Sequence, residues 1–262
     1  MVKFNRRQIL AGAAGLGAIG LTGLARPALA QSKTFIVTEP GHSADSLPFY
    51  VGIRKGYFKD VGLDVQVVTT EGGGKAMSAV QSGNANAYID GPEHIAFANV
   101  NGGKPVRAII ALSNRANSFV SARTGVEVDP SKSFADNIKG KKIAVGTRGS
   151  TDNSILLYLA KRDGLDPRKD FVMLEIANDA GRVAAMKNGE ADMAVVFEPF
   201  IAQGVKAGIW QEPFASMPKE LGLFAWTTVN LPQSLIQSDP ELAKAVVAAT
   251  KKSLDLVFNN DA

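Results

Sequence analysis

The chain has 262 residues, 45% of them hydrophobic and 21% charged, with 29 basic against 25 acidic side chains and no cysteine. A disulfide framework is excluded, so stability must come from an ordinary core, which this length can supply as one large domain or as two lobes. Four basic residues, Lys3, Arg6, Arg7 and Arg26, fall within the first 30 positions, which hold no acid. The rest is therefore balanced at 25 to 25, and no positive excess remains to argue for a nucleic-acid partner.

The N-terminus MVKFNRRQILAGAAGLGAIGLTGLARPALAQ has the three parts of an export signal. These are a basic start, an uncharged run from Ile9 to Ala25, and the small residues Ala28-Leu29-Ala30 before a cut near Ala30. Asn5-Arg6-Arg7-Gln8-Ile9-Leu10 resembles the twin-arginine signal of bacteria, with an ordinary secretory signal as the alternative. Gly12, Gly15, Gly17, Gly20 and Gly23 leave the run short of the roughly 20 apolar residues that a spanning helix needs. We expect residues 1–30 to be removed and the remainder to be exported.

Further along, TFIVTE, DVQVVTT, AYID, VRAIIAL, KKIAVG, FVMLEI and MAVVF are short runs rich in branched residues and read as buried strands. Helical patterns lie between them. Ile155, Leu156, Leu159 and Ala160 mark one apolar stripe, and an apolar helical pattern runs from Glu241 to Phe258. The stretch QSGNANAYIDGPEHIA, Gln81 to Ala96, is echoed by KNGEADMAVVFEPFIA, Lys187 to Ala202. Gly83 falls on Gly189, Asn86 on Asp192, Ile95 on Ile201, and Gly102 on Gly208. Gly62-Leu63-Asp64 and Gly164-Leu165-Asp166 form a second echo upstream. Strand and helix alternate twice over, which predicts two similar α/β lobes with largely parallel sheets and helices on both faces.

In open α/β sheets ligands bind beyond the carboxyl ends of the strands, so the residues after each strand are the candidates. They are His42 and Ser43 in the first such loop, Gly72, Gly73 and Gly74 after Glu71 in the second, and Asp90 and Glu93 in the third. Asn114 and Arg115 follow the fourth strand. The second half offers Thr147, Arg148, Gly149, Ser150 and Thr151, and then Glu198. Ser150 and Thr151 suit a helix cap as well as ligand contact. The three glycines permit either close backbone approach or an unusual turn. Arg115 and Arg148 are candidate fork donors for a carboxylate, sulfonate or nitrate, although either can equally be a solvated surface residue. Glu198 precedes Pro199, where its carboxylate can serve the helix dipole alone. Of the two histidines, His42 is the better ligand candidate and His94 reads as structural. Phe49, Tyr50, Tyr57 and Phe58 are spaced for core packing. No HExxH, zinc cluster or G-x-S-x-G elbow is present, so neither a reaction centre, a metal site nor a cofactor is expected.

LPFYVGIRKGYFKDVGLDVQVV, GGGKAMSAVQSGNANAY, IKGKKIAVGTRGS and GEADMAVVFEP, taken in this order, resemble solute-binding proteins of ABC importers. The group is the one serving nitrate, sulfonates, taurine and thiamine-pyrimidine precursors. The resemblance implies a two-lobed periplasmic-binding-protein fold with a cleft between lobes. Residues 31–114 plus 227–262 would form lobe 1 and 115–226 lobe 2, with crossings near Ser113 to Ser118 and Leu223 to Asn230. It implies a periplasmic receptor for a small ligand, sulfonate- or taurine-like or a pyrimidine-like heterocycle, that meets a permease and an ATPase and touches the membrane only through the permease. It places Glu198 where this group often presents an acid to its ligand. Such proteins usually continue for several more helices beyond the point reached at Ala262. Two rivals are a pyridoxal-phosphate enzyme making the thiamine pyrimidine, which the export signal and the lack of cysteine oppose, and a sensor that reports to a membrane receptor.

Overall fold

The protein's structure, a computed structural model, describes residues 32–70 and 72–259. The expected export signal, its cut near Ala30, and Glu71 lie outside the described residues. The strands are β1 (Lys33–Glu39), β2 (Leu63–Thr69), β3 (Ala87–Asp90), β4 (Val106–Ser113), β5 (Phe119–Ala122), β6 (Lys142–Val145), β7 (Val172–Glu175), β8 (Met193–Val196), β9 (Ala215–Ser216) and β10 (Thr227–Pro232). The helices are α1 (Leu47–Arg54), α2 (Tyr57–Asp60), α3 (Gly73–Ser82), α4 (Glu93–Val100), α5 (Phe134–Ile138), α6 (Thr151–Arg162), α7 (Asp179–Lys187), α8 (Phe200–Lys206), α9 (Met217–Leu221), α10 (Gln233–Ser238) and α11 (Pro240–Phe258). All seven branched runs read from the sequence are strands. β5, β9 and β10 are additional, and too short or too polar to announce themselves.

Two five-stranded sheets result, in the orders β2-β1-β3-β10-β4 and β7-β6-β8-β5-β9. Each contains three parallel strands, joined by crossover helices as expected. The expectation of largely parallel sheets needs correcting at β10 and β5, each of which runs antiparallel to both its neighbours. The reason is connectivity. β4 leaves the first sheet at its C-terminal end, so a strand returning there must run back alongside it. The second crossing is complete at Thr227, so Thr228 to Asn230 already lie within β10.

Strand residues alternate between two packed faces, the pattern of a sheet covered on both sides. In the first sheet Phe35, Val37, Ile89 and Val229 pack with Phe49, Phe58 and Val246 on one side, while Tyr88 and Val106 meet Ala76 and Val80 of α3 on the other. In the second, Ile143, Val145, Met193 and Val195 pack with Leu156, Leu159 and Trp226, while Ala144, Ala194 and Val196 meet Met186, Ile201 and Trp210. Of the aromatic quartet, Phe49 and Phe58 are core and Tyr57 packs partly against it. Tyr50 instead sends its hydroxyl to the carboxylate of Glu39.

The internal echo has a mechanical cause. Gly83 and Gly189 end α3 and α7 at φ 82° and 74°, a left-handed turn that favours glycine. Three residues on, the Asn86 side-chain oxygen accepts the Ile36 N–H (2.8 Å), and a carboxylate oxygen of Asp192 accepts the Lys142 N–H (2.9 Å). The same side-chain clamp thus pins β1 and β6 to the loops before their respective neighbours β3 and β8. Asn86→Ala and Asp192→Ala should each cost about 1 kcal/mol. A lower urea midpoint at unchanged slope would read this, and the double variant should be additive because the sites lie in different sheets.

Candidate functional site

The C-terminal ends of the parallel strands in both sheets face a cleft of about 300 Å³, the lower end of the range typical of small-molecule sites. β1 contributes Pro40 to Ser46, β3 contributes Ile89 and Asp90, and Gly72 and Gly73 start α3. Gly146 to Thr147 and Ser150 to Asp152 follow β6, Ala177 and Asp179 follow β7, and Phe197 to Phe200 follow β8. Trp226 and Thr227 close the back at the crossing. Most of the expected candidates converge here: His42, Ser43, Gly72, Gly73, Asp90, Thr147, Ser150, Thr151 and Glu198 all line the cleft.

The others lie elsewhere. Gly74 is exposed on the outer side of α3. Asn114 and Arg115 line a separate groove of about 710 Å³ beside Leu47, Pro48 and the end of α11. Among the described residues, no strand end of the second sheet lines that groove. Gly149, at φ 88°, turns the loop so that Arg148 faces outward, its N–H donating to Glu175 (2.8 Å) in a groove with Lys161 and Arg168. Neither arginine expected as a fork donor therefore reaches the cleft. Glu93 sits just behind it.

The cation that does reach the cleft is Arg182 of α7, which the sequence reading missed. Arg182, Ala185 and Met186 form the buried stripe of that helix, so the signal was a charge at an apolar position. Its guanidinium lies 2.9 Å from Asp152, with both side chains 5% exposed, and donates to the carbonyls of Val195 (3.0 Å) and Ile176 (3.1 Å). Asp152 also accepts the Gly146 N–H (2.9 Å) and the Ser150 hydroxyl. A side chain at Gly146 would collide with the Ser150 hydroxyl and the Asp152 carboxylate. Burial pushes the nearby Asp179 carboxyl above the usual range, with Arg182 pulling it back. A buried pair stripped of one partner leaves an uncompensated charge, so Arg182→Met should cost about 3–5 kcal/mol. A chemical denaturation curve will measure it.

The first-sheet wall is acidic. Glu39 is fully buried, with Tyr50 and Thr69 donating to its carboxylate and His42 Nδ1 against it. Asp45 accepts the Trp226 indole N–H (3.1 Å), and burial raises its carboxyl. Asp90, Glu93 and buried His94 form a cluster in which Nε2 of His94 is 2.9 Å from Asp90 and 3.4 Å from Glu93. The hydroxyl of Thr151, from the opposite sheet, reaches both carboxylates. No metal motif was legible in the sequence, yet these three side chains place their donor atoms within 4.8 Å of one another.

Burial lifts the Glu93 carboxyl above 4.5, opposed by the charge of His94 and aided by that of Asp90. For His94, burial pulls down, but the hydrogen bond and charge of Asp90 and the charge of Glu93 outweigh it and leave a net rise above 6.5. A group raised on folding contributes stability that is complete below its unfolded value and is lost as pH climbs through the folded one. Melting temperature in a chelating buffer should therefore fall as pH rises above about 6.5, and His94→Gln should remove the part of that fall due to histidine.

The profile of the family described as NMT1/THI5 like matches residues 43–262. The chain belongs to this family. YtlA of Bacillus subtilis (strain 168) is 30% identical over 227 residues, 86% of this chain and 66% of that protein. The nitrate/nitrite binding protein NrtA of Synechocystis sp. is 26% identical over 63% of this chain and 40% of its own length. The chain thus spans between two fifths and two thirds of these relatives. Among solved structures, a protein of Bordetella bronchiseptica RB50 superposes with a TM-score of 0.68 at 26% identity, covering 84% of this chain and 70% of that one. The alkanesulfonate-binding protein SsuA of Xanthomonas axonopodis pv. citri superposes with a TM-score of 0.68 at 16% identity, covering 87% and 75%, and shares the fold. Among the described residues of this NMT1/THI5-like chain, no helix is long and apolar enough to cross a membrane.

Proposed function

We propose that this NMT1/THI5-like protein is the solute receptor of an ABC-type importer. In this reading it acts in the periplasm, holds a small organic ligand between two lobes, and presents the closed form to a permease and its ATPase. The observation that carries the reading is the cleft itself, since strand ends from two sheets of matching topology enclose a small cavity bordered by several charged side chains. The lobes divide at residues 114/115 and 226/227. A ligand touching both walls favours the closed arrangement by whatever it binds better there. Binding proteins among the relatives support the receptor role.

The lining favours a particular ligand chemistry. Asp45, Asp90, Asp152, Asp179 and Glu198 border the cavity, and its arginine is already ion-paired. A compact anion meets a surplus of carboxylates there. A ligand with a protonated amine or several N–H donors meets acceptors, and the N-termini of α3, α6 and α7 can take an acceptor group at its other end. An amino-substituted pyrimidine satisfies both demands better than nitrate or an alkanesulfonate.

A thermal-shift panel of aminopyrimidines, taurine, alkanesulfonates and nitrate tests this. At about 100 times its dissociation constant a true ligand adds roughly 2.7 kcal/mol. The expected hit is an aminopyrimidine, and Glu198→Gln should weaken it by about tenfold or more. A response to alkanesulfonate or nitrate alone would refute the donor-bearing ligand while leaving a receptor. Silence across the panel from a cooperatively melting sample would count against the receptor reading for these classes.

A further inference from the structure

The Asp90, Glu93 and His94 cluster lies at the junction between the sheets and holds more negative charge than its neighbours answer. Among the described residues, the sole cationic side chain within ion-pair distance of either carboxylate is His94 itself. Buried charges are normally paired or bound to a metal, because a partner must repay the lost hydration. A second and separate observation comes from Tyr88. Its side chain is fully buried and its hydroxyl has no hydrogen-bond partner, although its ring stands edge-on to His94 at 6.3 Å and it lies within the field of both carboxylates. An orphan hydroxyl beside surplus negative charge marks a place where a group is wanted.

The spacing names the group. Donors bound at about 2.0–2.1 Å around a tetrahedral ion lie roughly 3.3 Å from one another. His94 Nε2 is 3.4 Å from Glu93 Oε1 and 2.9 Å from Asp90 Oδ2, close to that spacing, while the Thr151 hydroxyl lies 3.4 Å from the other Asp90 oxygen and now donates to Glu93 Oε1 at 2.5 Å, a bond it would exchange for the ion. Gly73 adds a steric permit, because a Cβ there would strike both Asp90 Oδ2 and His94 Nε2. Imidazole with two carboxylates is a donor set that suits zinc.

We propose that Asp90, Glu93 and His94 bind a zinc ion that Thr151 caps from the opposite sheet, tying the two walls of the cleft together. The ion takes the place of one proton, which leaves His94 Nε2 for solvent as the metal binds. The site adjoins that of the organic ligand, since Asp90 and Thr151 also line the cleft, but binding of the organic ligand can be measured in chelator, so failure of one reading leaves the other standing.

The test uses the untagged full chain, stripped with chelator and dialysed against graded zinc, with bound metal counted by atomic emission. Saturable uptake of a single ion per chain is expected. His94→Gln and Asp90→Asn should lose more than the roughly 10- to 100-fold that removing a partner outside the coordination sphere costs, with circular dichroism confirming that each is folded. Thr151→Val keeps the test open if a buried substitution unfolds the chain, because it leaves three donors in place and should weaken binding by about tenfold. Absence of saturable uptake by the folded wild type overturns the proposal, as does uptake that the variants leave unchanged.

Discussion

Two backbone hydrogen bonds set the terms for everything else: Phe224 N–H to the Asn114 carbonyl and Trp226 N–H to the Ser113 carbonyl, each 3.0 Å. They hold the outgoing and returning crossings side by side. Because the chain passes between sheets at one place only among the described residues, both sheets turn the same ends toward the gap. That arrangement forces β10 and β5 to run antiparallel, and it places Trp226 in the core of the second sheet while Thr227 pairs in the first. The cleft is the geometric remainder of these constraints.

The two walls solve the problem of polar groups in a narrow space differently. The second buries an arginine and pays for its charge with Asp152, two carbonyls and the face of Phe197, 5.8 Å from the guanidinium. The first gathers carboxylates around hydroxyls and histidines. Both walls nonetheless present more carboxylate than cation, the second through Asp179 and Glu198 beside the Arg182–Asp152 pair, so a bound molecule carrying positive charge would meet acceptors on either side.

The fold was largely legible because burial on both faces writes continuous branched runs, and because the echo repeats residues with mechanical duties. Asn86 and Asp192 align in sequence since each must accept the same kind of N–H. The site was only half legible. Strand-end loops name themselves by small polar residues, which found His42, Ser43, Asp90 and Thr151. The direction of a long side chain depends on a single turn, however, and Gly149 decides where Arg148 goes. Arg182 was hidden because helical periodicity assigns its position to the core, where a charge is read as an exception and passed over. The grouping of Glu93 and His94 with Asp90 depends on the turn at Gly91 and Pro92, which folds the start of α4 against the end of β3.

The crossing also orders the events of folding. Every strand of the second sheet lies between Phe119 and Ser216, an uninterrupted stretch, whereas the first sheet needs β10, which begins at Thr227. A chain emerging from the ribosome can complete the second sheet while the first still lacks the strand that joins β3 to β4. Until then β4 is an edge with no companion, and its pairing must wait for residues more than a hundred positions downstream, the kind of long-range closure that slows folding and leaves strand edges open to wrong partners.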